Sequence, residues 1–239
     1  MIGATQDIWV YLAETPLLWL TATLMAYGIG HAAFIRSGSN PAVNPVAIAA
    51  ALLIALLVAT DTDYDTYFEG AQFVHFLLGP ATVALAVPLY THLPRVRRAA
   101  LPMLAALVAG VVTAVGTALA VASLLGADSE SLLSLAPKSV TSPIAMGIAE
   151  RIGGLPSLAA GLVIATGIVG AIVVTPLLNL MRVRDWRARG FAVGIAAHGI
   201  GTARAFQVNP IAGVFAAVAM GLNGLTTALL VPLIAHLLL

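Results

Sequence analysis

The chain has 239 residues, 60% apolar and 9% charged, with a formal net charge of +1 and a mean hydropathy of +1.01. Soluble domains carry about 25% charged residues, so this composition belongs to an integral membrane protein, and the near-neutral charge gives no reason to expect a nucleic-acid partner. Cysteine is absent, which rules out disulfides, thiol redox chemistry and cysteine-ligated metals.

In chain order, the first residues carry Asp7 and Glu14 and no basic region, so a cleaved signal peptide is not expected. Pro16 suggests a hairpin over 6–35, although 17–35 is apolar enough to span alone. The next apolar run, 42–60, opens on Asn44-Pro45, a cap followed by a helix-starting proline. Asp61, Asp63, Asp65 and Glu69 form an acidic loop. The run 66–94 is interrupted by Gly79, Pro80 and Pro88. A basic cluster of Arg95, Arg97 and Arg98 precedes a long run at 98–126. The segment 128–151 is too polar and proline-rich for an ordinary span. Further apolar runs follow at 155–181 and 208–239, separated by Arg182, Arg184, Arg187, Arg189 and a glycine-interrupted stretch at 186–207. Runs of about 20 apolar residues are span candidates. The expected fold is therefore an all-α membrane protein of six to eight transmembrane segments, with broken or re-entrant helices.

Placing both arginine clusters in the cytoplasm puts the acidic loops outside. The run at 98–126 then goes outward and 155–181 comes inward, so 128–151 must start and finish outside. It is expected to be a re-entrant hairpin turning near Pro137. Pro16 and Met25 match Pro137 and Met146 at an offset of 121, and Gly79–Thr82 matches Gly199–Thr202 at an offset of 120. The offsets suggest a single membrane domain of two repeats, 1–119 and 120–239. One hairpin plus three spans in each half is an odd number of crossings, so the second repeat is expected to be inverted, a recurring plan of secondary transporters.

Chemistry concentrates in Pro137-Lys138-Ser139-Val140-Thr141-Ser142-Pro143. Lys138 is the only lysine in the chain, and a cation at mid-membrane costs roughly 2.5–3.5 kcal/mol on insertion scales. The two prolines break the backbone, which lipid tolerates only beside a cavity or buried protein. Ser139, Thr141 and Ser142 offer hydroxyls, and the run after Pro143 can begin a helix whose amide end is partly positive. Together these suit a carboxylate. The competing reading has Lys138 snorkelling to headgroups or pairing with Asp128, Glu130 or Glu150.

A second constellation is His198-Gly199-Ile200-Gly201-Thr202-Ala203-Arg204. Its glycines allow close backbone approach or unwinding, and Arg204 is able to clamp a carboxylate in two-point fashion. Plain helix packing for the glycines and a membrane-end anchor for Arg204 are the alternatives. Gly79 and Thr82 are the first-half counterparts, where Pro80 more often means only a kink. Asn223, Thr226 and Thr227 are read as hydrogen-bonding between helices. Glu69, His75 and Glu150 are candidate proton carriers, more simply explained as segment-end groups. No phosphate-binding loop, no His-Glu-x-x-His motif and no acid placed to orient a Ser139–His198 pair occur. Neither an enzyme, nor a metal site, nor a cofactor is expected.

Over essentially its whole length the chain resembles the LrgB/CidB family of bacterial inner-membrane proteins. The likeness rests on Pro137 to Met146, on Ile152-Gly153-Gly154-Leu155-Pro156, on His198 to Arg204, and on Leu77 to Ala84 with Pro88-Leu89-Tyr90. Members often carry Thr at Ser142 and Ala at Gly199. The resemblance implies holin-like or antiholin-like factors working with a small LrgA/CidA-type membrane protein in murein hydrolase control and lysis. It also implies, from other relatives, carriers of small organic acids: glycolate and glycerate in plant plastids, pyruvate in some bacteria. The favoured expectation is a monocarboxylate carrier using Lys138, Ser139, Thr141, Ser142, His198, Gly201, Thr202, Arg204, Gly79 and Thr82. Homodimers through glycine-rich faces at 147–154 and 161–170 are a further expectation.

Overall fold

Proline opens most of the long helices, where its fixed φ suits the first turn and its missing N–H is no loss. The computed structural model describes residues 16–238 apart from 78, 79, 81, 82 and 85. Among the described residues every regular element is a helix. These are α1 (Pro16–Arg36), α2 (Pro45–Thr60), α3 (Tyr64–Phe76), α4 (Ala86–Thr91), α5 (Leu93–Arg98), α6 (Ala100–Leu124), α7 (Ser129–Leu135), α8 (Ser142–Ile152), α9 (Pro156–Leu180), α10 (Trp186–Val208) and α11 (Pro210–Leu238). Among the described residues, four stretches are long and apolar enough to cross a membrane: α1, α6, α9 and Pro210–Ala235 of α11. The chain is thus an all-α membrane protein. On α6, Leu101, Leu104, Val108, Val112, Val121 and Leu124 are exposed, a continuous apolar stripe that suits lipid and not water.

The chain forms two compact units, residues 1–86 and 87–239. In the first, α1 packs on α2 and α3. Trp19 is fully buried, lies edge-on to Tyr67 with ring centroids 6.0 Å apart, and Thr23 shares a 3.1 Å hydroxyl contact with Tyr67. Asn44 caps α2 as expected, its side chain accepting from Val46 and Ala47 N–H at 2.9 and 3.1 Å. From Pro16 onward α1 is one 21-residue helix of spanning length. The first arm of the hairpin expected over 6–35 lies outside the described residues, as do Gly79 and Thr82.

In the second unit, the 128–151 segment is two short helices of 7 and 11 residues, neither long enough to span. Pro137 and Pro143 enforce the break. The link turns through Lys138 N–H to Leu135 O at 3.0 Å and Val140 N–H to Pro137 O at 3.2 Å. Ser129 and Ile152, the two outer ends, line one cavity of about 360 Å³, so the chain returns to the level at which it entered, in keeping with the expected hairpin.

The stretch at 186–207 departs from expectation. It does not cross. Helical geometry fails at Ala197 (φ −128°, ψ 18°) and His198 (φ 39°, ψ −133°), and the chain folds back. A Cβ on Gly201 would lie 2.9 Å from Val193 Cγ1, although eight residues of straight helix would separate them by about 12 Å. Trp186 and Val208, the two ends, line the same small cavity. The first arm runs alongside α11, with Gly190 against Ala212 and Gly194 against Ala216; the second runs against it, with Phe206 against Gly213. Among the described residues from 120 onward, α9 and Pro210–Ala235 of α11 are the stretches long and apolar enough to cross a membrane.

Candidate functional site

Two hairpins entering from opposite ends of the unit bring their turns together beside the middle of α11. Asn223, 1% exposed, donates through Nδ2 to Ser139 O at 2.9 Å and to Ile195 O at 3.1 Å. Its Oδ1 accepts from Thr227 Oγ1 at 3.3 Å. Two carbonyls face the amide nitrogen, so the amide orientation is forced. Both carbonyls exist as acceptors because the helices break there: Ser139 lies in the link, and Ile195 is in the last turn of the first arm of α10.

Lys138 and Ser139 sit on the α7–α8 turn. Lys138 is half-buried and Ser139 buried; Nζ donates to Ser139 Oγ at 3.2 Å. Among the described residues the ion pair within 4 Å is Arg187–Asp185 alone. Asp128, Glu130 and Glu150 therefore do not neutralise the lysine. Thr141 occupies the N-cap position of α8 without a side-chain bond to the first turn, and Thr141 and Ser142 are half-buried. Amides at the start of α8 and at the start of the second arm of α10 thus both lie at the meeting of the turns, where they favour negative charge.

His198 forms the other turn and is 4% exposed. Its Nε2–H donates to Val163 O of α9 at 2.8 Å. Gly167 makes room for it: a Cβ there would lie 2.6 Å from Cε1. Thr202, 2% exposed, donates to His198 O at 2.7 Å and so ties the strained turn to the second arm. The expected break at Gly199–Thr202 is therefore displaced to Ala197–His198. Gly201 serves instead for close packing of the two arms.

Arg204 does not join this group. It lies about two helical turns from the turn, donates to Gln207 Oε1 at 3.3 Å, and lines the cavity at the open end of the hairpin with Trp186 and Arg189. The helical arm that reverses at His198 carries it away from Lys138. Glu69 and Glu150 are exposed, as the simpler reading of them requires. Of the glycine faces expected to pair two copies, Gly147 and Gly161 have nothing within 4 Å of a Cβ, whereas Gly167 and Gly170 are taken by His198 and Ala197. A groove of about 770 Å³ between α6 and α10 extends from Arg98 and Arg187 to Ile195 and Ala196. Neither it nor the 360 Å³ cavity is lined by Lys138. The two turns are joined through Asn223. The bridging role of Asn223 and the acceptor on Val163 had no local signal in the sequence.

The fold and site define a class: a helical membrane protein in which two broken-helix turns meet inside the bundle around a lone lysine. The chain belongs to the LrgB-like family, whose model matches residues 23–237. It is 32% identical over 189 residues to the uncharacterized protein YwbG of Bacillus subtilis (strain 168), covering 79% of this chain and 84% of that one. It is 30% identical over 219 residues to proteins named antiholin-like protein LrgB in Bacillus mycoides (strain KBAB4) and Bacillus cereus (strain B4264), covering 92% of this chain and 95% of each. No solved structure matches.

Proposed function

We propose that this chain is a multi-pass protein of the bacterial inner membrane that carries small 2-hydroxy- or 2-oxo-monocarboxylates, such as glycolate, glycerate or pyruvate, and is not an enzyme. One observation carries the reading: the only lysine of the chain sits half-buried on a broken-helix turn, bonded to a serine hydroxyl and, among the described residues, to no carboxylate. A carboxylate between the turns would meet the Lys138 ammonium, the Ser139, Thr141 and Ser142 hydroxyls, and two helix N-termini. His198 and Thr202 hold the opposite turn in place, and alternate parting of the turns would give access from each side.

The printed names of the relatives favour a second reading, an antiholin-like regulator of lysis acting with a small LrgA/CidA-type partner or as a dimer. Those names weigh more on that side than on the carrier side. Counterflow of labelled glycolate, glycerate and pyruvate in liposomes separates the two. The carrier reading requires saturable exchange, lowered roughly 10- to 100-fold in kcat/KM by Lys138→Ala. Size-graded leakage without saturation, indifferent to that substitution, would establish the second.

A further inference from the structure

We propose that Asn223 is a latch: a positioning residue on α11 whose one side-chain amide clamps the two hairpin turns together and closes the space between them. The inference deepens the carrier reading and rests on it only for its consequence in transport. Each turn presents a carbonyl released by a helix break, and in a membrane interior such a carbonyl must find a donor. Two donors on two different helices would satisfy both while leaving the hairpins independent. Here a single buried NH₂ group serves both, at 2.9 and 3.1 Å, and Thr227 fixes the amide from behind. The turns are thereby coupled: neither moves away without surrendering a bond on a group that is itself out of reach of water. The adjoining packing is permissive, since Gly224 beside the latch brings Ile144 of α8 close, with a Cβ there 3.0 Å from Ile144 Cδ1. Separation of the turns would free the Asn223 amide N–H groups beside the Lys138 ammonium, donors from which an entering carboxylate accepts.

The native chain has no cysteine, so spin labels can be placed at will. Met146 on α8 and Ala196 on the first arm of α10 are both exposed and lie outside the site. With labels there, pulsed electron-spin distances on the full chain in lipid nanodiscs report the separation of the hairpins. The wild-type chain should give one narrow distribution. Asn223→Leu, which keeps the bulk and removes both donors, should raise the population of a longer distance by roughly tenfold. Thr227→Val, which leaves both donors but frees the amide, should move it in the same direction by less. An unchanged distribution in folded, monodisperse Asn223→Leu overturns the latch. If that variant does not purify folded, an unchanged distribution in Thr227→Val overturns it instead. Absence of saturable exchange by the wild-type chain would sink the carrier reading and leave the distance result to decide the latch.

Discussion

His198 holds φ 39° and ψ −133°, a region costing about 1–3 kcal/mol for a residue with a Cβ. It persists because its ring is anchored on Val163 O, its carbonyl on Thr202 Oγ1, and its space is cleared by Gly167. Gly167→Ala should push the ring off Val163 and destabilise the protein by roughly 1–3 kcal/mol, seen as a lower unfolding temperature in detergent. Gly161→Ala, on the same helix with open space around it, should leave that temperature unchanged. A different residue governs the start of α10. The Asp185 carboxyl accepts from Arg187 N–H at 2.8 Å and pairs with its guanidinium, and hydrogen bonding from the Arg187 side chain holds it below the usual carboxylate range. The folded value is the lower one, so the stabilisation is present above about pH 4, the unfolded value, and is lost as pH falls through the folded value. Asn caps equally well, so Asp185→Asn isolates the charge. The pair is exposed, so solvent screening keeps its contribution small. The difference in unfolding temperature between wild type and Asp185→Asn should be small at neutral pH and disappear in acid.

At the scale of elements, the reversal within α10 makes a topological prediction. Its two ends must lie on one face of the membrane, and the ends of the α7–α8 hairpin on the other. Single cysteines replacing the exposed Ala188 and Gln207 should react with an impermeant thiol reagent from the same side, and those replacing Ser129 and Glu150 only from the opposite side. Labelling of Ala188 and Gln207 positions from different sides would show that α10 crosses. The close contacts of Gly190 and Gly194 with the α11 backbone explain how two arms fit on one helix: small residues let main chains approach.

Across the whole molecule, most of the spans were legible in apolar run length, and the α7–α8 break in Pro137 and Pro143, because a missing N–H and a fixed φ are local facts. The α10 reversal was hidden because its positive φ falls on His198 and not on either neighbouring glycine, and glycine is the usual signal for such a backbone. Asn223 was legible as a residue hydrogen-bonding between helices, but its particular partners were not, since they lie 84 and 28 residues away. Lys138 and Arg204 looked like two cations for one anion; only the fold-back separates them. The same fold-back bears on how the protein is made. The α10 stretch is not among those apolar enough to cross on their own, and its reversed backbone leaves the Ile195 carbonyl to accept from Asn223 of α11. An exit channel delivering the chain in order therefore has no stable way to release α10 into lipid by itself. Stable burial of this segment therefore has to follow the synthesis of α11, against which it packs.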